Sequence, residues 1–100
     1  MSKKGGFNKA YRRRYFRLEV GRKLRRYKHA GDSKETGTIY LEDVAGVVED
    51  THSSIGEFLF QLRPVRKGGR TFSLRTDNET DRTEWIKAIS AEVYILPFVV

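Results

Sequence analysis

Apolar and polar side chains alternate along most of this chain with a period of two, the spacing of half-buried strands. In Tyr15-Phe16-Arg17-Leu18, Phe16 and Leu18 fall on one face, and a strand is predicted over residues 15–19. Val20-Gly21-Arg22 follows as a tight turn, and residues 23–28 return as the second arm of a hairpin. His29 to Thr36 is a polar, turn-rich loop. Strands are then predicted over 37–41, with Ile39 and Leu41 inward, and over 44–49. After the loop 50–56, residues 58–63 place Phe58, Phe60 and Leu62 on one face. The turn 64–69 leads to a strand over 70–75 with Phe72 and Leu74 inward. The period then lengthens. Trp85, Ile86, Ile89 and Val93 recur at helical spacing, predicting a helix over about 79–93. Asn78 is its expected N-cap, and Glu79 and Asp81 sit at its positive dipole end. A lone amphipathic helix must cover an open end of the strands, so the fold class is mainly β with one C-terminal helix.

The same parity carries chemistry. Arg12 and Arg14 have the register of Phe16 and Leu18, Arg26 that of Leu24, and Arg70 that of Phe72 and Leu74. Three strands thus carry an Arg on the inward face near one end, where the core stops. In an antiparallel pair the end of the second strand lies beside the start of the first, so Arg14 and Arg26 are expected to be neighbours. One such Arg is an ordinary guard on a strand edge. Three in the same register point to a cationic mouth suited to an anion. Lys3 and Lys4 precede this run, and Gly5-Gly6 is read as a turn.

Composition narrows the ligand. Residues 1–28 hold twelve Lys or Arg against one acid, a net +11, whereas residues 29–100 carry a net −4. Nucleic-acid phosphates, an anionic leaflet and an acidic protein all suit that polarity. Nucleic acid is disfavoured because the aromatic residues point inward by parity and offer no stacking surface. There is no Cys, the two His lie in separate loops, and no nucleophile–base pairing is evident, so neither an enzyme nor a metal or cofactor site is expected. No apolar run follows the basic N-terminus as in a signal peptide, and none approaches the roughly 20 residues of a membrane span.

The segment KKGGFNKAYRRRYF, followed by GTIYL, RTFSL and DRTEWIKAI, resembles the pleckstrin homology (PH) domain family over about residues 3–93. The resemblance implies a seven-stranded antiparallel sandwich or partly open barrel, capped at one end by the helix. It also implies a non-catalytic module that binds phosphoinositide headgroups at the other end and targets a protein to membranes. By motif match, Lys3 (or Lys4) and Arg14 are the main phosphate ligands, with Arg12 in support. Arg26 and Arg70 fall where relatives place headgroup contacts, and Lys9 lies at the loop tip facing the membrane. The basic-x-Arg element with Arg70 resembles members that prefer 3-phosphorylated inositides. The alternative is a protein-interaction module of the same fold with weak, nonselective binding to anionic lipid. The implied location is cytoplasmic and peripheral to the membrane.

Relatives carry an apolar first strand just before the position of Lys3, where this chain has only Met1 and Ser2, so the first strand reads as truncated. The domain is taken as residues 1–93. The apolar tail 94–100 extends the helix, adds an edge strand after Pro97, or is disordered. It is a candidate to fill the first-strand gap, in the same chain or in a second copy as a dimer.

Overall fold

A computed structural model describes residues 1–4, 11–50 and 57–94. Its strands are β1 (Ser2–Lys4), β2 (Tyr11–Arg13), β3 (Tyr15–Glu19), β4 (Lys23–Tyr27), β5 (Gly37–Tyr40), β6 (Val44–Asp50), β7 (Phe58–Pro64) and β8 (Phe72–Thr76). One helix, α1 (Glu79–Val93), follows them. A short 3₁₀ turn, Leu41–Asp43, joins β5 to β6.

The strands form two antiparallel sheets. One has the order β2-β1-β8-β7-β6 and the other β3-β4-β5. The register from Arg12 through Leu18, read from sequence as one inward face, is broken at Arg14. Its first half pairs with β1 and its second half with β4, so it is shared by both sheets. This break accounts for eight strands where seven were expected. The Arg14 N–H donates to the Met1 carbonyl at 3.0 Å, which fixes the corner. The sheets are not closed on one another: β5 and β6, though joined by the 3₁₀ turn, do not pair.

The short first strand is held on both sides. Ser2 and Lys3 register against Arg13 and Arg12 of β2, and against Arg75 and Leu74 of β8. Three residues suffice because ladder bonds on both edges satisfy the backbone. Both side chains are buried.

Leu24, Ile39, Leu41, Val44, Phe60, Leu62, Leu74 and Ile89 form the core. Each such side chain stabilises the fold by about 1.5–3 kcal/mol through burial. Asn78 caps the helix as expected, its Oδ1 accepting the Asp81 N–H at 2.8 Å. Of the apolar stripe predicted for the helix, Trp85 is only half-buried, and Ile89 occupies the fully buried position. The helix lies with Ile89 nearest the sheets, leaving Trp85 on the shoulder beside Leu18. Tyr27, on the outward face by parity, is buried: its hydroxyl donates to Glu19 and Arg17 covers its ring.

The β3–β4 turn needs left-handed backbone at Gly21 (φ 89°) and at Arg22 (φ 60°). Arg22 tolerates this with an anchor, its Nε donating to the Glu92 carbonyl near the helix C-terminus at 2.8 Å. The helix ends at Val93. Tyr94 follows as C-cap, and its hydroxyl accepts the Val47 N–H at 2.9 Å. The predicted Gly5-Gly6 turn and the remainder of the apolar tail lie outside the described residues, as does most of the loop 50–56.

Candidate functional site

Three of the cations singled out above line one small hollow at the open end of the sandwich. Lys3 of β1, Arg26 of β4 and Arg70 surround a cavity of about 130 Å³, with Gly37, Thr38, Ile39 and Phe72 completing its wall. Among the described residues, none of these three cations makes an ion pair. Arg25, the strand neighbour of Arg26, provides the contrast. It points to the other face and is held by Glu19 at 2.9 Å and Glu35 at 2.8 Å. Alternation along one strand thus separates a neutralised guanidinium from one without a carboxylate partner among the described residues.

Arg26 is held by its own hairpin loop. Its Nε donates to the Thr36 hydroxyl at 3.2 Å and its Nη2 to the Thr36 carbonyl at 3.1 Å. The Thr36 N–H and hydroxyl return donations to the Arg26 carbonyl at 2.7 and 3.2 Å. The guanidinium lies against Gly37, where a side chain would collide with it. Phe72 supports the other two cations: the Lys3 ammonium lies 5.4 Å, and the Arg70 guanidinium 4.9 Å, from its ring centroid.

The electrostatics are those of a cluster of like charges. Burial lowers the Lys3 pKa to about 8, with Arg26, Arg70 and Arg14 adding repulsion. Arg26 is lowered as well, first by burial and then by Arg14 and Arg70. An anion seated among these groups relieves both effects.

Other expected residues are placed differently. Arg14 acts on the hollow through its charge but does not line it; its Nη1 donates to the Arg13 carbonyl at 2.7 Å. Arg70 was expected inside a strand starting at residue 70. The strand begins at Phe72, and Arg70 lies ahead of it, exposed. Arg12 is the register partner of Lys3, and Lys4 ends β1. Lys9 lies outside the described residues. Arg13 forms a two-pronged pair with Asp77, both contacts at 2.9 Å, tying β2 to the turn before the helix. Sequence reasoning passed over Thr36 and Gly37; the available signal was a Thr-Gly pair at a strand start facing an inward Arg.

Among the described residues, no helix is long and apolar enough to cross a membrane.

A family model described as PH domain matches residues 1–94. A PH domain-containing protein of Dictyostelium discoideum is 33% identical over 90 residues, which cover 89% of this chain and 19% of that protein. Human Sesquipedalian-1 is 33% identical over 88 residues, covering 88% of this chain and 34% of that protein. The chain therefore spans only a fifth to a third of these curated relatives. Among solved structures, the carboxyl-terminal PH domain of pleckstrin aligns with a TM-score of 0.75 at 28% identity, covering 92% of this chain and 89% of that one. The same pleckstrin domain has been solved in complex with D-myo-Ins(1,2,3,5,6)P5.

Proposed function

The chain belongs to the PH domain family, and from that premise we propose that it is a non-catalytic module that binds phosphoinositide headgroups and recruits a larger protein to an anionic membrane surface. The observation that carries the proposal is the convergence of Lys3, Arg26 and Arg70 on one hollow without carboxylate partners among the described residues. Ammonium and guanidinium groups suit phosphomonoesters, and a guanidinium bound to Thr36 is oriented before the ligand arrives. Arg14 adds charge at the rim. In this reading Lys3 is the rigid first-strand cation, because β1 is paired on both edges. By the motif match, Arg12, Lys4 and Lys9 are further candidate contacts for the same ligand. The inositol pentakisphosphate complex of the pleckstrin domain supports the ligand class.

We assign the preferred ligand to the 3-phosphorylated inositides, the 3,4,5-trisphosphate or the 3,4-bisphosphate. Each well-made charge-assisted contact contributes roughly 1.5–3 kcal/mol, so a headgroup engaging more of the cluster gains at least about tenfold. Titration calorimetry with soluble inositol 1,3,4,5-tetrakisphosphate against the 1,4,5-trisphosphate tests this: the former should bind more tightly, and Arg26→Ala should remove most of the affinity. Equal affinity for both, or loss of all vesicle binding at moderate salt whatever the lipid, would point to a charged surface without a specific pocket.

A further inference from the structure

Beside the hollow lies a larger slot of about 370 Å³ between β5 and the β7–β8 turn, where the two sheets fail to close. Three consecutive residues of β5, Thr38, Ile39 and Tyr40, line it. Consecutive side chains point to opposite faces of a sheet, so a cavity touching all three runs along the strand's edge. Among the described residues the edge is unpaired, since β5 bonds only to β4.

The register shows which backbone groups face the slot. The Leu41 N–H donates to the Arg22 carbonyl, in line with the pairs Ile39↔Leu24 and Gly37↔Arg26. Hydrogen-bonded pairs recur at every second residue of an antiparallel ladder, so Gly37, Ile39 and Leu41 face β4. Thr38 and Tyr40 therefore turn their N–H and C=O groups outward. The opposite wall carries Arg66 and Arg70, both exposed and neither in an ion pair among the described residues. Phe72 and Val44 supply an apolar lining, and Asp43 also borders the slot. Asp43 opposes a compact polyphosphate, whereas an extended chain can keep its acidic groups toward the two arginines.

We propose that this slot docks an extended acidic segment of a partner protein. The segment adds as a strand to the outward edge of β5, and its acidic side chains lie against Arg66 and Arg70. Unpaired edge groups supply affinity, and the charge selects the sequence. This goes beyond headgroup binding and does not rest on it, although Arg70 borders both cavities and makes their occupancies interdependent.

The test is a selection from a displayed random library of short linear peptides on the intact chain, followed by anisotropy titration of the enriched clones. Acidic residues at alternate positions are expected. Tyr40→Pro removes the outward N–H. It suits the backbone because Tyr40 has φ −84°, close to proline's value of about −65°, and β4 does not use that donor. It should weaken binding by roughly five- to tenfold relative to Tyr40→Ala, which keeps the N–H. Arg66→Glu should weaken it further. Circular dichroism and headgroup titration on Tyr40→Pro report whether the fold survives. If that variant unfolds, amide shifts of Thr38 and Tyr40 in the wild-type chain on adding peptide serve instead. Failure to enrich acidic clones, equal binding to Tyr40→Pro and Tyr40→Ala, or absent shifts at β5 would overturn the proposal. So would Arg66-dependent binding to phosphatidylserine vesicles without peptide binding, which would make the face a membrane contact.

Discussion

Gly37 and Arg26 share a space that only one side chain can occupy: a Cβ on Gly37 would lie 2.5 Å from the Arg26 Nη2. The colliding atom is the end of a flexible side chain, so a substitution displaces the guanidinium more readily than the backbone. Gly37→Ala should therefore leave the melting temperature nearly unchanged while weakening headgroup binding by roughly tenfold, the loss of one charge-assisted contact. Calorimetry beside thermal melting checks this. A large drop in stability with unchanged affinity would show that Arg26 does not act in the hollow.

Lys3 makes the site sensitive to pH. Its folded pKa of about 8 lies below the ordinary value of 10.5, so between these values the unfolded chain holds a proton that the folded chain has lost. Stability should rise with pH through that window, and the penalty for the buried charge is fully present below about 8. A bound polyanion favours the ammonium form, so binding at pH 8.5 should take up a proton and weaken as pH rises further. Calorimetry in two buffers of different ionisation enthalpy measures the uptake, and Lys3→Met should abolish it.

The helix should depend more on Ile89 than on Trp85. Ile89 is fully buried, and Ile89→Ala should cost about 2–5 kcal/mol. Trp85→Ala should fall below the roughly 3–5 kcal/mol of a fully buried Trp, because its ring keeps an exposed flank. Urea unfolding of the two variants ranks them.

Asn78→Ala removes the oxygen that accepts the Asp81 N–H and should cost about 1 kcal/mol. Asn78→Asp should retain most of that stability, since a carboxylate also caps and favours the helix's positive end. Headgroup affinity should be unchanged in both, because α1 contributes no wall to the hollow.

The strands, the hairpin turn and the capped helix were legible in the sequence because each rests on local rules. Alternation selects a face, Gly21 supplies a left-handed turn, and Asn78 satisfies a helix N–H three residues on. Parity likewise put Arg26 on the inward side of its strand, since orientation along a strand is a local property. Depth and partnership are not local, and tertiary structure decided them. Trp85 and Ile89 carry the same periodic signal, yet only the angle of the helix on the sheets determines which is buried. Arg13 and Arg14 are adjacent and chemically alike. One is neutralised by Asp77, 64 residues away, and the other sits at a corner because the Met1 carbonyl takes its N–H. Lys3 acquires its lowered pKa only when the fold buries it between β2 and β8 and brings Arg26 and Arg70 near it. A period shows which way a side chain points. What it meets there depends on chain brought in from far along the sequence.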